Sequence, residues 1–118
     1  MLLAGCSYHY QLQVVERNGW VAFEAEGDQG TGCFSDLKVT SEAGEVVWEL
    51  DAGQYLPTPC ENKLPLRYGV VPGGMQERVK AVPLRAGVLY RIEAWDGDSY
   101  SGAFRLGRGL IENLEERR

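Results

Sequence analysis

A chain of 118 residues with 44% apolar and 25% charged side chains has the length and composition of one globular domain with room for a core. Its formal net charge of −5 and pI near 4.9 disfavour nucleic acid and anionic lipid headgroups as electrostatic partners. No apolar run approaches the ~18 residues that a membrane-crossing helix needs.

Near its start the chain carries Leu3-Ala4-Gly5-Cys6. These four residues resemble the lipobox of bacterial lipoproteins. The resemblance implies that the Gly5–Cys6 bond is cut, that the Cys6 sulfur carries a diacylglycerol, and that its new amino group is acylated. Small residues suit a peptidase that closes around extended backbone, and the thiol is the nucleophile that takes the lipid. A secretory signal has a basic n-region and an apolar h-region of about 7–15 residues. Met1 and Leu2 supply neither, so the resemblance implies an in-frame extension upstream. Lipoproteins kept at the inner membrane of enteric-type bacteria often carry Asp after the lipidated Cys. Ser7 stands there instead, which by resemblance leans toward the outer membrane. Residues 1–6 are accordingly expected to be the remnant of a signal, 7–107 a single β domain and 108–118 a charged tail.

Three cysteines are present, Cys6, Cys33 and Cys60. An odd count in an oxidising compartment leaves a spare thiol. With Cys6 lipidated, Cys33 and Cys60 remain as one pair, expected to form a disulfide. On the chain-entropy account such a bridge stabilises by about 3.6 kcal/mol. The alternative is a pair of buried free thiols in a cytosolic protein. A zinc site is not expected, because no Cys-x-x-Cys exists and the one histidine, His9, lies near the N-terminus.

Residues 8–16 alternate, with Tyr8, Tyr10, Leu12 and Val14 on one face and His9, Gln11 and Gln13 on the other, which predicts a strand. Asn18-Gly19 predicts a tight hairpin, because both residues tolerate positive φ. The returning strand, 20–26, puts Val21, Phe23 and Ala25 on one face and Trp20, Ala22, Glu24 and Glu26 on the other. A glycine-bearing loop at 27–32 lacks the G-x-G-x-x-G spacing and a following helix, so it is no phosphate cradle. A third strand is expected over 34–40, with Phe34 out of phase with Leu37 and Val39 unless a bulge intervenes. Residues 41–44 turn the chain, and 45–50 return with Val46, Trp48 and Leu50 inward.

Pro57, Pro59 and Pro65 exclude a central strand over 51–65 and predict a long connection. A short strand at 66–71 leads to Pro72-Gly73-Gly74, which fits a type II turn with Pro second and Gly73 third. Pro83 makes 78–84 an edge strand or an ending one. Residues 85–87 turn. The strongest alternation, 88–95, puts Val88, Tyr90, Ile92 and Ala94 inward. Asp96-Gly97 predicts a hairpin to 100–106. Residues 110–118 are expected to form no more than a short, frayed helical turn. Short strands at this spacing predict an all-β fold, an immunoglobulin-like antiparallel sandwich of about seven to eight strands, with a small closed barrel as the alternative. Trp48 lies between Cys33 and Cys60, but that spacing is too short for the usual inter-sheet pairing, so only the architecture is expected.

Nucleophilic catalysis needs an oriented base. With one histidine and no Gly-x-Ser-x-Gly, a Ser-His-Asp site is not expected, and blue copper would need a second histidine. Glu24, Glu26, Glu45, Glu49 and Glu93 fall on outward strand faces and read as a solvated surface rather than a hydrolytic pair. Asp96-Gly97-Asp98 is explained by its turn and offers too few carboxylates for calcium. No enzyme, metal or cofactor is therefore expected. The remaining signal is aromatic. Trp20 and Trp95 fall on polar faces, and Tyr55 and Tyr68, in less regular segments, are candidates to join them in a partner-binding surface. The competing expectation is that one tryptophan packs over a sheet edge. The sequence thus points to a non-catalytic envelope lipoprotein domain, anchored in the membrane through Cys6 and binding or assembling with an envelope protein. The alternative is an inhibitor or accessory subunit of a periplasmic enzyme, reaching into a cleft with 54–66 or 72–77.

Overall fold

A computed structural model describes residues 9–25, 35–52, 65–95, 99–107 and 110–114. The chain first forms β1 (His9–Arg17) and β2 (Trp20–Ala25), an antiparallel hairpin closed by Asn18 (φ 53°) and Gly19 (φ 83°). Two consecutive positive-φ residues match the right-handed strand twist, which is why Asn-Gly turns here. Leu12, Val14 and Phe23 point inward and are buried, as the alternation predicts. Next come β3 (Asp36–Ser41) and β4 (Val46–Asp51), joined by a turn in which the Gly44 N–H donates to the Ser41 carbonyl. Two short edge strands follow, β5 (Leu66–Arg67) and β6 (Gln76–Val79), and then β7 (Leu89–Trp95), β8 (Ser99–Leu106) and β9 (Ile111–Leu114). Among the described residues there is no helix.

The fold is all-β, a curled mixed sheet resembling half a barrel, in the order β5-β2-β1-β8-β7-β3-β4-β6, with β9 added on β8. One expectation is corrected here. The strands are not all antiparallel, because β1 runs parallel to β8 through His9↔Ser99 and Gln11↔Ser101. The sheet curls far enough for β2 to meet β4 although four strands lie between them. The rings of Phe23 and Trp48 are 6.5 Å apart and both side chains are fully buried. Leu12, Val14, Leu37, Val39, Leu50, Ile92 and Phe104 fill the same interior.

Two local details depart from expectation. The β3–β4 register skips between Val39 and Thr40, so Val47 is an extra residue, and Val47 and Trp48 are both buried where only Trp48 was expected. The turn after β5 lies one residue late. Its positive φ falls on Gly74 (88°), and the Met75 N–H donates to the Pro72 carbonyl. Pro-Gly-Gly satisfies both frames, and burial of Met75 selects the later one.

Residues 111–114 form β9, not the expected helical turn. β8 continues beyond its pairing with β1, leaving the backbone of Ala103–Leu106 in need of a neighbour. A reversal in which the Gly107 N–H donates to the Leu110 carbonyl brings β9 alongside it. Asn113 then completes β1. Arg17 and Trp20 flank a two-residue turn and form a hydrogen-bonded pair, so alternation makes Val14↔Phe23 a non-hydrogen-bonded one. The Val14 N–H and C=O therefore point away from β2. The Asn113 side chain takes both: its Oδ1 accepts from the Val14 N–H at 2.7 Å and its Nδ2 donates to the Val14 carbonyl at 2.9 Å. Asn113→Leu should cost about 2 kcal/mol, because it strands two backbone groups. Urea unfolding checks this, and an unchanged midpoint would show that water replaces the amide.

Candidate functional site: the outward tryptophans

The three tryptophans divide by environment. Trp48 is inside, and its indole N–H donates to Glu77 Oε2 at 2.9 Å. Trp95 and Trp20 face outward, 37% and 50% exposed, and neither indole N–H has an acceptor among the described residues. Period-2 alternation from buried Ala94 and Ile92 puts Trp95 on the outer face of β7. Register sets Asp36 of β3 on one side of it and Ser99 of β8 on the other. Asp36, Leu37, Lys38, Glu49 and Trp95 line a shallow depression there.

Trp20 opens β2 on the same face as Ala22, whose partner on β5 is Arg67. The Arg67 guanidinium carbon lies 3.1 Å from the centre of the Trp20 ring, a cation–π stack at the sheet edge. The two exposed tryptophans are not brought together. Trp20 pairs with Arg17 at one end of β1, whereas Trp95 lies in the row of His9 at the other. Eight strand steps separate these ends by roughly 26 Å. Tyr55, Cys6, Cys33 and Cys60 lie outside the described residues, and so do Glu26 and Asp96 to Asp98.

Tyr68 is half-buried and packs against the core. Its ring packs edge-on to Phe23 and Trp48, with centroids at 6.2 Å and 5.0 Å. Its N–H donates to the Val21 carbonyl of β2, while its hydroxyl lies 2.5 Å from the Val82 carbonyl and 3.3 Å from that of Val47 on β4. One residue thus spans the two margins of the curled sheet. Its irregular, glycine-rich surroundings hid this role from sequence periodicity. Burial pushes the Tyr68 hydroxyl pKa up to about 12. The raised folded value means that the fold holds the neutral phenol. This contribution is therefore complete below about pH 10, the unfolded value, and is lost as pH rises toward 12. Tyr68→Phe should lower stability at pH 8 by about 1 kcal/mol and flatten this alkaline loss. Chemical denaturation at several pH values measures both.

His9 has a setting that its lone occurrence did not foretell. Nδ1 is 2.9 Å from Ser99 Oγ and Nε2 is 2.9 Å from Ser101 Oγ. Histidine and serine in contact raise the question of a nucleophile. Here both ring nitrogens are taken by hydroxyls, no carboxylate among the described residues orients the ring, and both serines sit within the paired strand β8. The arrangement clamps the parallel β1–β8 seam. Of the outward carboxylates, Glu24 accepts from Arg17 at 2.7 Å and Gln13 at 3.1 Å, and chiefly the Arg17 bond holds its pKa below the usual value. Glu77, which drew no notice in the sequence, accepts from both the Trp48 indole and the Ala81 N–H. Among the described residues no cluster of His, Cys, Asp and Glu is arranged to hold a metal ion. The 72–77 segment is held down by buried Met75. Comparison of the chain with known protein families, with curated proteins and with solved structures finds no match.

Proposed function

We propose that the chain is a non-catalytic envelope lipoprotein domain, tethered through lipid on Cys6, that docks an envelope protein through Trp20 and Arg67. The observation that carries the docking surface is the stack itself. A half-exposed indole held by a guanidinium is an ordered aromatic anchor, and Trp and Arg are the side chains that dominate protein interfaces. The tether is consistent with this polarity. Cys6 lies three residues before β1, and Trp20 pairs with the far end of that strand. A lipid at Cys6 would leave Trp20 directed away from the membrane surface, at the outer membrane on the periplasmic side. Cys33 and Cys60 form the remaining disulfide of this proposal. The finer fold we favour is the immunoglobulin-like sandwich, one layer built on β5-β2-β1 and the other on β7-β3-β4-β6. Its support is the Phe23–Trp48 contact between those layers.

Capture from envelope extract by the domain, compared with Trp20→Ala and Arg67→Ala, tests the docking surface. Wild type should retain a discrete protein that both variants lose, with melting temperatures within a few degrees of wild type. Equal capture by all three would remove Trp20 as the anchor. Metabolic labelling with a fatty acid in a bacterial host, using the chain with its upstream extension, tests the tether. Labelling that persists in Cys6→Ser would place any lipid elsewhere.

A further inference from the structure

We propose that the outer sheet face around Trp95 binds an uncharged saccharide chain. This inference is independent of the lipid tether and of the Trp20 surface. Register places two rows of outward side chains side by side. One runs His9, Ser99, Trp95, Asp36, Asp51 across β1, β8, β7, β3 and β4, and the next contains Ser101, Glu93, Lys38 and Glu49. Neighbouring strands are about 4.8 Å apart, so polar groups flank the indole at roughly the width of one sugar ring. A sugar ring offers an apolar C–H face to an aromatic surface and hydroxyls at its rim. Trp95 supplies the surface and an indole N–H without an acceptor among the described residues. Asp36, Lys38 and Glu49 supply acceptors and donors around the same depression, whose volume of about 470 Å³ lies in the range of small-molecule sites.

The charges choose among ligands. Asp51 is engaged by Arg78 at 2.6 Å, and Lys38 stands directly between Glu49 and Glu93. With Asp36 beside Trp95, carboxylates outnumber lysine among the described residues that line the depression. Uronate chains and anionic lipid headgroups are repelled there, whereas hydroxyl and amide groups are not. The same carboxylates oppose insertion of Trp95 into a bilayer, so a saccharide is favoured over a membrane surface.

The test is calorimetric titration of the full chain with hexamers of N-acetylglucosamine and of β-linked glucose. A galacturonate hexamer and anionic phospholipid vesicles are the opposing probes. Wild type should bind at least one uncharged hexamer with a Kd of about 0.1–1 mM and bind neither anionic probe measurably. Trp95→Ala should weaken binding about tenfold or more, as expected for a central aromatic anchor. Trp20→Ala should leave it unchanged. Asp36→Asn, which keeps size and removes charge, should relieve the exclusion of galacturonate without loss of fold, and this holds the test open if Trp95→Ala proves unstable. No saturation by either uncharged hexamer up to about 10 mM, a preference for galacturonate or vesicles, or equal binding by Trp95→Ala would each overturn the proposal.

Discussion

Gly102→Ala should destabilise the protein by about 3 kcal/mol, a large effect for one added methyl group. β8 lies against β1 so closely at this point that a Cβ on Gly102 would sit 2.5 Å from the Leu12 carbonyl oxygen and 3.2 Å from the Leu12 Cβ. Neither partner can yield cheaply. Leu12 is buried and paired with Ala25 on β2, and Gly102 is paired with Ile92 on β7. The obstruction is backbone rather than the end of a flexible side chain, so relief requires the strands to part where the parallel seam ends and β9 takes over. The expected result is a large fall in the urea midpoint, or loss of the folded state. A midpoint within error of wild type would mean that β8 does not approach β1 as described.

The second large effect is expected at Phe23. Its ring is fully buried and meets Trp48, Tyr68 and Phe104, with the Phe104 centroid at 5.9 Å. These partners come from β4, from the residue after β5 and from β8, so Phe23 is where distant strands of the curled sheet meet across its interior. Phe23→Ala should cost about 3–5 kcal/mol through lost burial and the cavity left behind. The sharper form is a double-mutant cycle with milder changes, Phe23→Leu and Trp48→Phe. Strands that truly meet should show a coupling of about 0.5–1.5 kcal/mol. Additivity would indicate that β2 and β4 stay apart and that the sheet is more open.

The hairpins were readable in the sequence because their signals are local. Asn18-Gly19 fixes a register, and the register fixes the faces of β1 and β2, including the outward placement of Trp20. Trp95 follows in the same way from the alternation of β7. What escaped is non-local. The parallel pairing of β1 with β8 joins residues about ninety positions apart and leaves no pattern in either strand. β9 is short, and its place depends on an open stretch of β8 together with Asn113, whose side chain substitutes for a strand backbone. Tyr68 follows a two-residue strand, too short for periodicity to show that its ring turns inward. Glu77 and His9 owe their partners to the same long-range folding. The outward placement of Trp20 and Trp95 was therefore legible, whereas the packing of half-buried Tyr68 against the core was not.

The division of the tryptophans is the claim on which the binding surfaces stand, and fluorescence quenching reads it directly. Three variants, each keeping one tryptophan and replacing the other two by phenylalanine, are titrated with acrylamide. The Trp20-only and Trp95-only proteins should emit at long wavelength and be quenched readily. The Trp48-only protein should emit at shorter wavelength and resist quenching until it is unfolded. Strong quenching of folded Trp48, or shielding of Trp20 and Trp95 equal to that of Trp48, would contradict the account.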